Sequence, residues 1–505
     1  MPMKKPDFSD KNKRIEVIML MLTVVICMIA AVVCCYHKQG MHEDEFYSYY
    51  SSNRTTGLYV DGEVSRDAIL DELTVLKGEG FNFPLVKEVQ SWDVHPPLYY
   101  FVLHFVCSLY PEHFSMWQGL IINLVCFAIC IFLMKRLGDI LIPDAPLVSV
   151  MAALTWGLSA AALTGVVFIR MYMLLTVWVL AVTILHLSMD PGRPKFYIFL
   201  GILTFMGFMT HYYFFIWLFF LAVSWNLREL IVTKKIKTMI LYGITMVVTF
   251  GLCYVFYPAF PAQMFKGQRG AQATGNFIDV ANTWERLCFF AEKINRIGFG
   301  GILWILIIAI VLLMIACKIK SPDRDPKWGN IIVLTCALIG YFAVVSKTAL
   351  LLGDSSIRYQ MPVLGVMYIC VFAYFWSLIG RLNPKPLVFM GIIAAALIIL
   401  NLSSDVLSNI SFLYPETKEH IQKISEYPGA EAVYVYPPGQ SWTIWSQMSE
   451  MLEFDSILCI PSGEEDRINE ISVRPLIIFC DVNADINNGN MLFNDKYCNV
   501  YLIEE

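Results

Sequence analysis

Along this chain long apolar runs alternate with short polar breaks, and the runs have the length of membrane helices. A membrane-spanning helix needs about 20 mostly apolar residues. Windows of that kind fall near 15–36, 114–134, 146–167, 171–188, 196–210, 212–228, 238–257, 297–317, 329–346, 357–379 and 386–402, which predicts about eleven spans. The 196–228 stretch divides at Thr210-His211, a polar pair that favours a turn. The stretch 96–110 is also apolar, but at about 15 residues it is short for a crossing. It carries His104 as well, so it predicts a helix that lies on or dips into the membrane surface. Beyond 402 the pattern changes. Short apolar or β-branched runs at 433–436, 457–460, 476–480 and 500–503 are separated by Pro, Gly, Asn and Asp, and 442–452 could be helical. That alternation predicts a small α/β domain.

Composition supports a bilayer environment. Of 505 residues 57% are hydrophobic and 16% charged, against about 45–50% apolar and roughly 25% charged in soluble domains. The net charge of −5 argues against a nucleic-acid partner. Most of the 14 cysteines lie inside apolar runs and read as small hydrophobes. Cys459, Cys480 and Cys498 fall in the tail, with no even pairing and no metal-ligand spacing. The first apolar run follows Lys4, Lys5, Lys11, Lys13 and Arg14 and ends without a small-residue cleavage pattern, so it predicts an uncleaved span.

Charge then orients the map. With 96–110 left uncrossed, Lys135, Arg136, Arg193, Lys195, Arg228, Lys234, Lys235, Lys237, Lys318, Lys320, Arg324, Lys327, Arg381 and Lys385 all fall on the side of the N-terminus. The positive-inside asymmetry makes that side cytoplasmic. The expected organisation is a cytoplasmic 1–14, a first span at 15–36, an extracytoplasmic loop at 37–113, a membrane body at 114–402 and an extracytoplasmic α/β domain at 403–505. One longer outer loop, at about 258–296, interrupts the body.

Candidate chemistry gathers at the outer ends of these elements. Glu43, Asp44 and Glu45 follow the first span directly. Three carboxylates beside hydrocarbon are costly, and they read either as a general base or metal ligands or as a solvated loop start. Asp93 and His95 precede Pro96-Pro97, at the start of the 96–110 helix, where the helix dipole favours an anion. Arg170 and Arg358 lie at the outer edges of their spans, followed by Tyr172 and Tyr359. Such arginines either snorkel to the interface or bind an anion, and a lipid phosphate suits the guanidinium fork. His211-Tyr212-Tyr213 faces the same side, as interfacial anchor or as substrate contact. A carboxylate that takes a proton and cations that hold a leaving phosphate suit transfer from a phosphate-activated lipid.

The ordered set Asp44-Glu45, Asp93-x-His95-Pro96-Pro97-Leu98-Tyr99-Tyr100, Arg170-Met171-Tyr172, His211-Tyr212 and Arg358-Tyr359 resembles the type-C glycosyltransferases of glycosyltransferase family 39. These are related to protein O-mannosyltransferases and the lipid A aminoarabinose transferase. The resemblance implies a polytopic α-helical membrane fold and inverting transfer of a sugar from a polyprenyl-phosphate carrier to an acceptor hydroxyl on a glycan, lipid or protein at the plasma membrane. It assigns the catalytic carboxylate to Asp44, with Glu45 beside it. By position it gives the carrier phosphate to Arg170 and Arg358, with Lys77, Lys87, Lys266 and Arg269 as alternatives. The inserted lumenal domain of the protein O-mannosyltransferases has no counterpart here. A divalent cation is a candidate cofactor, on Glu43, Asp44, Asp93 and His95, though the relatives do not need one for chemistry. The competing reading is a lipid-phosphate or glycolipid transporter that uses the same arginines without chemistry. The two repeated halves common in transporters are not evident.

Overall fold

A computed structural model describes residues 10–54, 61–320, 328–403, 406–471, 475–482, 489–494 and 498–504. Lys4, Lys5, Arg324 and Lys327, which contribute to the charge asymmetry, lie outside the described residues. The chain begins with a single helix, α1 (Asp10–His37). The first loop holds α2 (Glu43–Asn53), β1 (Gly62–Ser65), α3 (Arg66–Leu73), α4 (Phe83–Trp92) and α5 (Leu98–Ser108). The body follows with α6 (Met116–Leu141), α7 (Pro146–Gly157), α8 (Ala160–Val167), α9 (Tyr172–Ser188), α10 (Pro194–Thr210), α11 (Tyr213–Thr233) and α12 (Ile236–Phe256). Short helices α13 (Phe260–Phe265), α14 (Gln268–Ile278) and α15 (Thr283–Lys293) then precede α16 (Leu303–Lys320), α17 (Gly329–Thr348), α18 (Met361–Leu382) and α19 (Pro386–Ser403). The tail carries α20 (Pro415–Ser425), β2 (Glu431–Tyr436), α21 (Met448–Met451), β3 (Ser456–Pro461), β4 (Leu476–Asp481), β5 (Asn490–Asn494) and β6 (Cys498–Ile503).

Every apolar window read from the sequence holds a helix, although 297–317 and 357–379 begin in a π-helical turn and a 3₁₀ turn ahead of α16 and α18. Among the described residues seven helices are long and apolar enough to cross a membrane. The 146–167 window is a pair bent by 60°, and the windows at 171–188, 196–210 and 386–402 are shorter apolar helices. The bend has a local cause: Leu158 closes α7 onto Leu154, and Ser159 Oγ accepts the Ala162 N–H to start α8. The turn expected at Thr210-His211 is present, because His211 N–H closes α10 on Gly207 while its Nδ1 accepts the Tyr213 N–H that opens α11. Helix α5 has 11 residues, about 16 Å of rise, well short of a roughly 30 Å hydrocarbon core. Large apolar side chains stand exposed along whole helix faces, such as Val17, Ile18, Met21, Val25 and Ile29 on α1 and Val247, Val248, Leu252 and Val255 on α12. Each would cost about 25 cal/mol per Å² in water. A bilayer is the solvent that suits them, and the chain is a multi-pass membrane protein. The most enclosed of the long helices, α18, packs against α7, α9, α16, α17 and α19.

The chain divides into two compact units. The first joins residues 1–34, 93–99 and 120–411 and holds the helical body. The second joins 35–92, 100–119 and 412–505. The sequence reads the first loop and the tail as separate domains, whereas the fold builds them into one sheet. That sheet runs β1-β3-β2-β4-β6-β5. Strand β2 pairs in parallel with β3 and β4, and the loop strand β1 pairs antiparallel with β3, Val64 opposite Ile457. Val433, Val435, Ile460, Leu476, Ile478 and Tyr501 form its core. The expected helix at 442–452 is a 3₁₀ turn over Ser441–Gln447 that runs into α21.

Candidate functional site

The predicted site residues fall into two groups, one in each unit. In the helical body, three helix N-termini carry the residues singled out by sequence. Arg170 sits in the turn between α8 and α9, its N–H bonded to Phe168 O at 2.7 Å. Arg358 lies in the 3₁₀ turn Gly353–Tyr359 that leads into α18. His211 precedes α11. Ring contacts join Arg358 and His211 into one cluster, and the charge of Arg170 acts on His211 and Asp93. Tyr172 stacks on Phe168 with centroids 5.9 Å apart, lies 5.6 Å from His211 and meets Tyr359 edge-on at 6.0 Å. The Arg358 guanidinium lies 5.3 Å from the Phe168 ring centroid and 5.1 Å from that of Tyr359, and it donates to the Tyr359 hydroxyl at 3.3 Å. His95 approaches His211 at 5.7 Å, and its Nδ1 lies 3.5 Å from Asp93 Oδ2. Asp93, His95, Arg170, Tyr172, His211, Arg358 and Tyr359, named from separate stretches of sequence, are therefore one assembly.

Its electrostatics are graded. Arg170, Arg358 and His211 are buried, whereas the Asp93 side chain keeps 34% of its surface open. Two buried guanidiniums beside helix N-termini make this a region of positive potential. Burial acts to raise the Asp93 carboxyl, but the hydrogen bond and charge of His95, then the charge of Arg170, outweigh it and hold its pKa below the ordinary value. Burial pushes His211 well below the ordinary histidine value, and His95, Arg170 and Arg358 push it the same way. Its Nδ1 is an acceptor, so the ring is neutral with its proton on Nε2.

Sequence reasoning missed Gln263 and Tyr257. Gln263 Nε2 donates to the Asp93 carbonyl at 2.7 Å and to the Tyr257 hydroxyl at 2.9 Å, and its Oε1 accepts from Tyr212. One buried amide thus fixes the main chain of Asp93 to α11 and α13. The only sequence signal for it is the unusual length of the 258–296 loop. Arg286 and Lys347 are also buried cations, but both serve caps. Arg286 donates to Ser346 O and Ala349 O at the end of α17, and Lys347 donates to Asp279 O, Asn282 Oδ1 and Thr283 Oγ1. The alternatives Lys77, Lys266 and Arg269 are exposed, and Lys87 is half-buried.

Asp44 and Glu45 sit in the second unit, at the N-terminus of α2. They differ sharply. Glu45 is fully buried: Oε2 accepts Lys38 Nζ at 2.9 Å and the His42 N–H at 2.7 Å. It closes a capping box with His42. Glu45, expected beside the catalytic carboxylate, thus has its Oε2 engaged by an ion pair and a helix cap. Asp44, one residue earlier, keeps 26% of its side chain open. Its N–H donates to His42 Nδ1 at 3.0 Å, so that nitrogen carries no proton, and its 3.6 Å approach to Asp44 Oδ2 is not a charged pair. Asn53, in an apparent glycosylation sequon whose Thr55 lies outside the described residues, is buried. Its Nδ2 donates to Leu73 O at 2.7 Å, so it is a structural group.

Along nearly its whole length the chain is similar in structure to ArnT from Cupriavidus metallidurans bound to undecaprenyl phosphate. The TM-score is 0.49 at 13% identity, covering 95% of this chain and 97% of that one. The apo state of the same protein gives 0.48 at 13% identity and the same coverage. The archaeal oligosaccharyltransferase AglB from Archaeoglobus fulgidus, in complex with an inhibitory peptide and a dolichol-phosphate, gives 0.46 at 10% identity, covering 94% of this chain and 70% of that one. No protein-family model matches the sequence, and no curated protein does.

Among the described residues no group of three or more His, Cys, Asp or Glu is arranged to hold a metal ion. Of the candidate ligands, Asp93 and His95 lie in the helical body and Glu43 and Asp44 in the other unit.

Proposed function

We propose that the chain is a membrane glycosyltransferase that moves a sugar, a hexose in the simplest case, from a polyprenyl-phosphate carrier to an acceptor hydroxyl at the outer membrane face. The acceptor belongs to a cell-envelope glycan, a lipid or a protein. The observation that carries this reading is the two buried guanidiniums Arg170 and Arg358, set beside the N-termini of α9 and α18 and both acting on His211. Buried guanidiniums beside helix N-termini suit the phosphate of a lipid carrier, which the planar fork binds through paired hydrogen bonds. Asp44 takes the proton of the acceptor hydroxyl. The acceptor oxygen then bonds to the anomeric carbon as the carbon–oxygen bond to phosphate breaks. The electron pair leaves on the phosphate, where Arg170 and Arg358 receive the charge. A single displacement inverts the anomeric centre. Asp93 and His95, at the open edge of the arginine cluster, orient the sugar phosphate. The N-terminus and the basic loops are cytoplasmic, and residues 37–113 and 403–505 are extracytoplasmic.

The test is transfer of label from radiolabelled polyprenyl-phosphate hexoses to acceptors in a membrane extract, with wild type beside Asp44→Asn. Transfer by wild type alone, with carrier binding kept in both, is the expected result. Tight carrier binding with no transfer from any donor, and no effect of Asp44→Asn, would instead establish a transporter.

A further inference from the structure

The turn that bears Asp44 is fixed by groups the transfer does not use. Lys38 and Glu45 have fully buried side chains. Lys38 Nζ, which pairs with Glu45, also donates to the carbonyl of Phe412 at 2.6 Å. Three residues of this turn repeat that attachment. Gln39 N–H donates to Leu413 O at 2.8 Å, Met41 N–H donates to Ser449 Oγ at 3.1 Å, and the His42 ring meets Phe412 edge-on at 5.4 Å. Gly40 is closed in: a Cβ there would lie 2.5 Å from Thr417 Oγ1 and 3.0 Å from Tyr414 Cβ. On the other strand of the contact Phe412 and Tyr414 hold φ of 69° and 51°, a left-handed conformation that non-glycine residues adopt only where their surroundings enforce it. Asp44 is thereby held on both sides, by its N–H on His42 Nδ1 and by Ser48 Oγ donating to its carbonyl at 3.0 Å. Its side chain is left partly open.

We propose that Lys38 and Glu45 are positioning residues: with the 412–417 segment they form a buried clamp that fixes where the Asp44 carboxylate points. The C-terminal α/β segment thus serves the chemistry by bracing its base. The inference rests on the reading of Asp44 as that base.

The clamp has a distinctive signature. Removing one member of a buried ion pair strands the other charge, whereas removing both is often tolerated. Lys38→Met should lower kcat by about 100-fold, the cost of a misplaced reacting group, with the KM for the polyprenyl-phosphate donor unmoved. The double variant Lys38→Met/Glu45→Gln keeps an oxygen for the His42 N–H and removes both charges. It should return to within about tenfold of wild type, with an unchanged pH profile. Gly40→Val, which pushes the turn away from Thr417, should lower kcat for every acceptor alike. If the double variant instead remains as inactive as Asp44→Asn, Glu45 takes part in the reaction and the clamp is overturned. A second measurement does not depend on transfer. Intact wild-type protein is treated with a water-soluble carbodiimide and mapped by mass spectrometry. The clamp requires modification at Asp44 with Glu45 protected, and a changed Asp44 rate in Lys38→Met that the double variant restores. Equal modification of Asp44 and Glu45 in wild type would overturn it. Absence of transfer from any donor, with the labelling pattern intact, would sink the glycosyltransferase reading and leave the clamp standing.

Discussion

The two groups of charged residues meet the same difficulty, ionised side chains beside hydrocarbon, in opposite ways. At the Asp44 turn the buried cation Lys38 and the buried anion Glu45 neutralise each other at 2.9 Å. Their remaining hydrogen bonds go to the backbone of His42 and Phe412. Such a pair spends its charge on geometry. In the helical body the named charges are two guanidiniums and one carboxylate, placed at helix N-termini whose dipoles add to the cationic side. There two like charges stand together and act on His211, with the Asp93 carboxyl beside them. A buried ionisable residue thus points to a ligand when its surroundings reinforce its charge, and to architecture when they cancel it.

Four substitutions or conditions can break or sharpen this contrast. The largest effect is expected at Asp44: Asn there should reduce transfer by about 10²–10⁴-fold, the usual worth of a general base, with carrier binding unchanged in a lipid-binding assay. Next is Lys38→Met, which leaves Glu45 buried and unpaired. It should destabilise the second unit by about 3–5 kcal/mol in thermal unfolding in detergent, largely recovered when Glu45→Gln is added. Third, Arg358→Lys keeps the charge but loses the fork and the stacking on Phe168 and Tyr359. Carrier-phosphate affinity should fall by about tenfold, or about 1.4 kcal/mol. The smallest effect is one of pH. Burial holds His104 and His211 below the ordinary histidine pKa, so in the acidic range the unfolded chain binds more protons than the fold. Stability is therefore full above the ordinary value near 6.5 and declines as pH falls below it. Melting curves between pH 7 and 5 should show a slope that flattens in His211→Gln.

Much of the helical body is legible because bilayer thickness imposes a length on every span, and length survives in sequence whatever packs against it. The arginine cluster is legible for a related reason: an ionisable residue at the edge of an apolar run stands out against its neighbours. The role of Glu45 is not legible. Its partner Lys38 belongs to the end of the preceding helix and its second anchor, Phe412, lies far along the chain, and no local pattern records either. Gln263 escapes for the same reason, since an amide in a long loop carries no periodicity. Strand β1 escapes because four residues, Gly62–Ser65, are too short to show alternation. The strands at 431–436 and 476–481, buried along most of their length, read directly as β-branched runs.

The pairing of β1 with β3 also imposes a timetable. β1 leaves the ribosome before the whole helical body is made, and β3 only after it. At about 5–20 residues per second, the wait is on the order of tens of seconds. Until residues 412–417 arrive, the turn that presents Asp44 has no brace, and until β3 follows the first loop has no sheet to join. A chain halted within the helical body would therefore hold its acidic turn without the 412–417 segment that packs on it. Insertion of the helices and assembly of the acidic turn are thus separate events in the life of one polypeptide.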